Sequence, residues 1–228
     1  LSTFLGERLR TGVTAQSIDT KGRTYIVHLS DGSALEADAV VCAAPAFAAA
    51  EMVKSLDKTL LSTLNEIYYP SVSVICLGYK KERLDRSLDG FGFLIPFKEG
   101  RKILGTLWDS SVFPNRAPEG YVLLRTMLGG SRRSEMAELA EDKLIAIVMN
   151  ELRDIMGIKI EPDFAKVYTH KKGIPQYYPG HEKRIGDIDK IIKKFRGLYL
   201  TGNAYRGIGV NDCIENSSKL AENILQEI

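Results

Sequence analysis

The sequence LYLTGNAYRGIGVNDCI, at residues 198–214, sets the architecture of the chain. It predicts a short apolar strand over 198–200, a turn with glycines at 202, 207 and 209, and then a helix. Glycine lets the backbone take positive φ and approach a flat ligand without a Cβ in the way. The helix start would aim N–H groups at an electron-rich ligand, although a junction with this spacing is more often plain strand–helix geometry.

The helix after this turn is expected to be capped by Asn211 or Asp212. Its apolar residues are spaced for one buried face: Ile214, Leu220, Ala221, Ile224 and Leu225. The same pattern therefore predicts both a ligand-facing helix start and a packed helix body.

Composition narrows the class of protein. The chain has 228 residues, of which 44% are hydrophobic and 26% are charged, as is typical of a globular protein with a core. The formal net charge of +2 is too small to indicate a nucleic-acid partner. Cys42, Cys76 and Cys213 lie in apolar contexts without CxxC spacing, which favours reduced thiols over disulfides or a metal site. No apolar run reaches the roughly 18 residues that a membrane-spanning helix needs.

Alternating patterns and turn residues predict two groups of strands. The first group covers 13–19, 24–30 and 33–43, and Pro45 then opens an alanine-rich helix. The second group covers 71–79, 91–96, 102–109 and 121–129, and a further strand is expected over 166–173. Helical spacing is found over 58–68, over 134–156 with Gly157 as the stop, and over the basic amphipathic stretch 182–195. These elements predict a mixed α/β (α+β) fold with two sheets.

Several phrases of the sequence point to one family. They are the turn quoted above, ADAVVCAAP at 37–45, GFGFLIP at 90–96, GTLWDS at 105–110, FPNRAP at 113–118, MLGG at 127–130 and IPQYYPGH at 174–181. Together they resemble the protoporphyrinogen oxidase family, which are flavoproteins of haem synthesis related to the amine oxidases. Two positions depart from the family pattern, because His170 stands where tryptophan is usual and Gly173 where alanine is usual.

The resemblance implies FAD as the cofactor and a division of the chain. Segments 1–56 and 171–228 would belong to a Rossmann-like FAD-binding domain, and 57–170 would form a substrate-binding domain. Family members begin with a GxGxxG turn and are about twice as long, so we expect this chain to be the C-terminal half of such a protein. The cofactor contacts that the resemblance implies are Val13, His170, Gly202, Asn203, Ile208, Gly209 and Val210.

The resemblance also implies a substrate and its contacts. The substrate would be protoporphyrinogen IX or coproporphyrinogen III, oxidised with oxygen as the acceptor of electrons, and the sequence leaves the choice open. Phe91, Gly92, Leu94 and Met127 would wall its cavity, although each of them is also a normal strand residue. Arg116 and Arg206 are candidate partners for the substrate's propionates. No residue stands out as a catalytic acid or base, and no cluster has metal-ligand spacing.

Other interpretations remain open at this point. Another amine oxidase or carotenoid desaturase relative would share the C-terminal turn but not the phrases at 90–96 and 175–181. A fragment without the nucleotide half would bind neither FAD nor substrate well. We expect a cytoplasmic protein, with a homodimer and peripheral membrane contact through the basic helix 182–195 as further options. His181 is expected to cap or hydrogen-bond within the turn before that helix.

Overall fold

The computed structural model describes residues 2–227 and confirms the mixed α/β fold. Its helices are α1 (Ser2–Leu5), α2 (Ala46–Met52), α3 (Lys58–Asn65), α4 (Asp109–Val112), α5 (Glu141–Met156), α6 (His181–Ile192) and α7 (Val210–Glu227). Its strands are β1 (Ala15–Lys21), β2 (Thr24–Leu29), β3 (Ala34–Ala37), β4 (Val40–Cys42), β5 (Val72–Lys80), β6 (Gly92–Leu94), β7 (Ile103–Leu107), β8 (Tyr121–Gly129), β9 (Phe164–His170) and β10 (Leu198–Leu200). The chain divides into two compact units, Leu1–Tyr68 with Pro175–Ile228, and Tyr69–Ile174.

The first unit contains two small sheets. Strands β1, β2 and β3 form an antiparallel meander, while β4 pairs in parallel with β10. The strand predicted over 33–43 is therefore two strands in different sheets, because the chain changes partner between Ala37 and Val40. The Val40 N–H donates to the Gly197 carbonyl at 2.7 Å, which starts the pairing with β10.

Helices α2, α3 and α6 supply the apolar packing of this unit. Their buried residues are Ala46, Ala49, Ala50 and Met52 in α2, Leu60 and Leu64 in α3, and Ile185, Ile188 and Ile191 in α6. The Asp57 carboxylate caps α3 by accepting from the Thr59 and Leu60 N–H groups at 2.7 and 2.9 Å. Because α3 packs on α2 and α6, the structure assigns residues 57–68 to the first unit, whereas the sequence placed them in the second.

Helix α6 carries the basic amphipathic stretch. It begins at His181 and ends at Ile192, and its apolar face is buried within the first unit. That face is therefore not available to a membrane surface. Among the described residues, moreover, no helix has both the length and the apolar composition needed to cross a membrane.

The second unit is built on a five-stranded antiparallel sheet in the order β6-β7-β8-β5-β9. One face of this sheet packs against α5 and forms the core. The core residues with the lowest exposure are Ile75, Leu77 and Tyr79 from β5, Leu124 and Leu128 from β8, and Leu144, Val148 and Leu152 from α5. On this face the hydroxyls of Thr106 and Thr126 form a hydrogen bond with each other at 2.9 Å, so neither is left without a partner. The opposite side of the sheet, called the second face, carries Leu94, Met127 and Arg125.

The helix predicted over 134–156 is interrupted. A 3-10 segment runs from Ser134 to Glu138, and α5 begins only at Glu141. Ser71 holds the 3-10 segment against the start of β5, since its N–H donates to the Ser134 hydroxyl and its own hydroxyl donates to the Glu138 carboxylate. Helix α5 ends where predicted, with Gly157 in the left-handed region at φ 71°.

Tyr79 makes the stability of the second unit sensitive to alkaline pH. Burial raises the pKa of Tyr79 from 10.0 to about 12, and the nearby Glu161 carboxylate adds to this shift. The raised pKa means that the phenol contributes its full stability below pH 10 and loses it as pH rises towards 12. We expect the free energy of unfolding to fall by about 2 kcal/mol over this range from Tyr79 alone.

The measurement is urea denaturation of wild type and Tyr79→Phe between pH 9 and 12. Phenylalanine keeps the ring but removes the titrating group, so the difference between the two proteins isolates Tyr79. Identical dependence on pH in the two proteins would contradict this assignment.

Helix α7 departs from the sequence expectation. Within residues 2–227 it has no buried residue, and Val210, Ile214 and Leu225 are 76%, 63% and 81% exposed. The predicted buried face is therefore formed only in part, because Leu220 and Ile224 are half-buried and no residue of it is fully buried. Polar contacts also hold the helix. The Tyr199 hydroxyl donates to the Glu227 carboxylate at 2.6 Å, and Asn216 donates to the Arg206 carbonyl at 2.7 Å.

Candidate functional site

The glycine-rich turn follows β10 and is fixed from behind by side chains. The Tyr177 hydroxyl donates to the Asn203 carbonyl at 2.8 Å, and the Asn216 amide donates to the Arg206 carbonyl at 2.7 Å. His181 Nε2 lies 3.2 Å from the Tyr205 carbonyl. These contacts hold the carbonyls of Asn203, Tyr205 and Arg206 towards the protein. The exposed side of the turn therefore carries mainly N–H groups and apolar atoms.

Helix α7 begins at this turn, one residue before the cap that the sequence suggested. The Gly209 carbonyl accepts the first helical bond from the Cys213 N–H at 3.0 Å. Asp212 acts as a cap from inside the first turn, since its carboxylate accepts from the Gly209 N–H at 3.1 Å. The N–H groups of Val210, Asn211 and Asp212, which precede that first helical bond, have no carbonyl one turn earlier to bind. They and the helix dipole favour a negatively charged or electron-rich ligand here.

The predicted cofactor residues fall in three places. Gly202, Asn203, Ile208, Gly209 and Val210 all lie on the turn or at the start of α7, and Ile208 and Val210 are 48% and 76% exposed. Gly202 has φ of 115°, which only glycine adopts readily.

The other two predicted residues lie elsewhere. Val13 is half-buried and precedes β1, which begins at Ala15, so it lies outside the strand although the sequence predicted a strand over 13–19. The hydrogen bonds of this segment join Thr14 to Ser30, and Val13 takes part in none of them. His170 is exposed at the end of β9, in the second unit and opposite Val72.

The second face of the five-stranded sheet brings together two of the predicted substrate residues. Directly opposite residues on neighbouring strands point to the same face. One row across the sheet is Leu94, Gly105, Met127, Val74 and Tyr168, and the adjacent row is Gly92, Leu107, Arg125, Cys76 and Lys166. Leu94 and Met127 therefore flank Gly105 on a largely apolar surface. Phe91 lies just outside β6 and is 76% exposed.

Gly92 has a steric role in this sheet. Its φ is 119°, and a Cβ at this position would lie 2.0 Å from the Thr106 carbonyl oxygen. The residue is thus needed for β6 to approach β7, whatever it contacts in a ligand.

Arg125 is the charged residue at the centre of the second face. Its Nε lies 2.8 Å from Asp109 Oδ2, and its Nη2 donates to Asp109 Oδ1 at 3.0 Å. Asp109 is buried at the start of α4. Burial raises the pKa of the neighbouring Cys76 thiol, although Arg125 opposes this, so the thiol is neutral near pH 7 and is a poor nucleophile.

The two arginines proposed from the sequence as propionate partners lie outside this face. Arg206 forms an ion pair with Asp189 of α6. Arg116 is exposed, and its guanidinium lies 5.6 Å from the ring of Phe113. Among residues 2–227 no group of three His, Cys, Asp or Glu side chains is arranged to hold a metal ion.

Comparison with known proteins identifies the family. Residues 1–225 match the family described as flavin containing amine oxidoreductase. The chain belongs to the flavin-containing amine oxidoreductase family. Coproporphyrinogen III oxidase of Bacillus subtilis (strain 168) is 30% identical over 215 residues, covering 94% of this chain and 45% of that protein. Protoporphyrinogen oxidase 2 of Arabidopsis thaliana is 35% identical over 193 residues, covering 82% and 38%.

The fold agrees with a solved structure of this amine oxidoreductase type. A candidate protoporphyrinogen oxidase from Exiguobacterium sp. 255-15 superimposes with a TM-score of 0.79 at 22% identity, covering 95% of this chain and 47% of that one. This chain therefore spans less than half the length of the relatives compared here. The predicted cofactor, FAD, is in keeping with the amine oxidoreductase family.

The glycine-rich turn has features that could hold part of a flavin. It offers helix N–H groups, apolar side chains at Ile208 and Val210, and glycines where a Cβ would obstruct a flat ring. Gly202, Asn203 and residues 208–210 would hold the cofactor. The carbonyls of Asn203, Tyr205 and Arg206 already accept hydrogen bonds from side chains of the protein. The exposed side of the turn can therefore present N–H groups to a ligand.

His181 is the residue whose part in this turn the sequence did not reveal. We expected it to bond locally, but its partner is the Tyr205 carbonyl, and its ring stacks on Tyr177 with centroids 3.9 Å apart. A carbonyl can only accept, so Nε2 carries the hydrogen. Nothing in the spacing of 174–181 indicates a contact with residue 205.

Replacing His181 by phenylalanine is expected to loosen the glycine-rich turn. The ring would still stack on Tyr177, but the buried Tyr205 carbonyl would lose its donor, which costs about 1–3 kcal/mol. Urea denaturation and FAD titration measure the loss. His28→Phe is the matched control, because His28 is half-exposed and pairs only with Asp19 at 3.0 Å, so its loss should cost less than about 1 kcal/mol. Equal losses in the two variants would count against the role given to His181.

Proposed function

We propose that this protein is an FAD-dependent porphyrinogen oxidase of haem biosynthesis, which oxidises protoporphyrinogen IX or coproporphyrinogen III to the porphyrin. The names of the relatives support this proposal at the level of the reaction. The observation that carries it for this chain is the second face of the sheet, where Leu94 and Met127 flank Gly105 on an apolar surface. A flat, largely apolar macrocycle suits such a surface.

The proposed division of work leaves the redox step to the cofactor. FAD held at Gly202, Asn203 and residues 208–210 would supply the acceptor for the hydride lost from a methylene-bridge carbon, and oxygen would reoxidise it. The start of α7 stabilises negative charge on the ligand by about 0.3–2 kcal/mol through the helix dipole. Leu94, Leu107 and Met127 pack against the macrocycle and exclude water from it. We assign no side chain of residues 2–227 as a catalytic acid or base.

The rest of the proposal concerns contacts that the sequence suggested. We propose Val13 and His170 as further cofactor contacts, and Phe91 and Gly92 as further substrate contacts. Oxygen is the proposed final acceptor and the cytoplasm the proposed location. A homodimer and peripheral membrane contact belong to the same proposal, with the membrane contact made by a surface other than the apolar face of α6.

The test is anaerobic addition of each porphyrinogen to the protein produced from its complete gene and loaded with FAD. We expect the flavin absorption band to bleach and porphyrin fluorescence to appear with at least one of them. A yellow protein that neither substrate bleaches would refute porphyrinogen oxidation and favour another reaction of the amine oxidoreductase family. The 228-residue chain alone, assayed in parallel, shows whether this part of the protein retains FAD without other sequence.

A further inference from the structure

Arg125 is unusual in its surroundings. In β8 it faces Leu107 on one side and Cys76 on the other, and Met127 follows on the same face. Its side chain is 39% exposed, so it is reachable from that face. The other cation in its row is Lys166 on β9, beyond Cys76, which two strand spacings place about 10 Å away. Arg125 is thus the cation directly opposite Leu107 on this face.

Asp109 holds Arg125 in one orientation. The Asp109 carboxylate accepts a hydrogen bond from Nη2 at 3.0 Å, and its other oxygen lies 2.8 Å from Nε. Asp109 is only 8% exposed, so it cannot follow the guanidinium into solvent. This pairing leaves both N–H groups of Nη1 and one of Nη2 for a second partner. A guanidinium that is already oriented loses little freedom when it binds a carboxylate end-on.

An ion pair with no further partner is a poor explanation for this placement. Taking both charges partly out of water costs free energy, and apolar residues of similar volume would often stabilise a sheet face as well. The fork that remains on Arg125 matches a carboxylate in geometry and charge.

Building on the proposed function, we infer that Arg125, oriented by Asp109, binds a carboxylate side arm of the substrate and makes coproporphyrinogen III the preferred porphyrinogen. Coproporphyrinogen III carries a propionate on each of its four rings. Protoporphyrinogen IX replaces two of them with vinyl groups. A vinyl group placed at Arg125 would leave its free N–H groups unpaired in apolar surroundings, and a site built for a polar partner rejects such an analogue.

The test compares wild type with Arg125→Met, which keeps the length of the side chain and removes the charge. We expect the concentration of coproporphyrinogen III that half-bleaches the flavin to rise about 10- to 100-fold, in line with the loss of a bidentate charged hydrogen bond. The value for protoporphyrinogen IX should change less than about threefold. Arg132→Met is the matched control, because Arg132 is exposed and stacks on Phe97 at 4.1 Å. Equal losses for the two substrates, or the same loss in the control, would overturn the inference.

A second variant and a second readout keep the test decisive. Arg125→Lys keeps a cation beside Asp109, so it should fold if the methionine variant does not, and its affinity should lie between those of the other two proteins. Binding of oxidised coproporphyrin III, followed by its own fluorescence, requires no turnover. If wild type is bleached by neither porphyrinogen, the proposed function fails. Coproporphyrin binding that is equal in wild type and the Arg125 variants overturns the role of Arg125 separately.

Discussion

Replacing Gly92 by alanine is expected to cost about 3 kcal/mol of stability and to displace the edge of the sheet that carries Leu94. A Cβ at this position would lie 2.0 Å from the Thr106 carbonyl oxygen and 2.8 Å from Leu107 Cα. These are backbone atoms of β7, which cannot rotate away as a side chain can. The strand pair would have to separate, and the apolar row through Leu94, Gly105 and Met127 would lose its first member.

The chain contains its own probe for this change. Its single tryptophan is Trp108, whose backbone N–H donates to the backbone carbonyl of Phe91, beside Gly92, at 3.0 Å. Urea denaturation followed by tryptophan fluorescence therefore reports directly on the edge of the sheet. Gly100→Ala is the control, since its φ is also positive, at 66°, but nothing lies within 4 Å of a Cβ there. That variant should lose only about 1–2 kcal/mol from backbone strain. If Gly92→Ala unfolds at the same urea concentration as Gly100→Ala, the steric argument is wrong.

The second large effect is expected at Gly207, in the glycine-rich turn. Its φ is 70°, and an added Cβ would lie 2.3 Å from the Asp212 Cβ. Asp212 would have to move, and its bond to the Gly209 N–H would break. Backbone strain and the lost cap together cost about 2–4 kcal/mol. We expect the affinity of Gly207→Ala for FAD to fall at least about 10-fold.

Titration of the apoprotein with FAD, followed by flavin fluorescence, measures this loss. Gly186→Ala provides the comparison, because Gly186 lies inside α6 and nothing lies within 4 Å of a Cβ there. Alanine should stabilise α6 by about 0.5–1 kcal/mol and leave FAD affinity unchanged. Unaltered FAD affinity in Gly207→Ala would show that the turn does not depend on this glycine.

Much of the secondary structure could be predicted because local patterns determine it. Strand β8 has the predicted bounds, Tyr121–Gly129, since it is a short, mostly apolar run with glycines at both ends. Strand β10 agrees equally well, and Gly157 ends α5 as its backbone freedom suggests. The stretch 33–43 was misjudged because a continuous strand pattern does not reveal a change of pairing partner between β3 and β4.

The candidate site was less predictable because its contacts join distant segments. The bond from His181 to the carbonyl of Tyr205 spans 24 residues, and the Arg125–Asp109 pair spans 16. Arg125 could be noticed in the sequence, since it is the one charged residue in the mostly apolar run YVLLRTML at 121–128. Helix α7 shows a second reason why prediction falls short. Its amphipathic spacing indicates which face could pack, but not whether a packing partner lies against that face.

The hydrogen bonds behind the glycine-rich turn couple local unfolding around the start of α6 to local unfolding of the turn. Tyr177 precedes α6 and His181 begins it, and these two residues hold the carbonyls of Asn203 and Tyr205. If the segment around the start of α6 opens, the turn loses two of its supports at once, so its ligand-binding form belongs to the closed population only. A ligand on the turn must then protect the amides around Tyr177 from hydrogen exchange, even though it touches none of them.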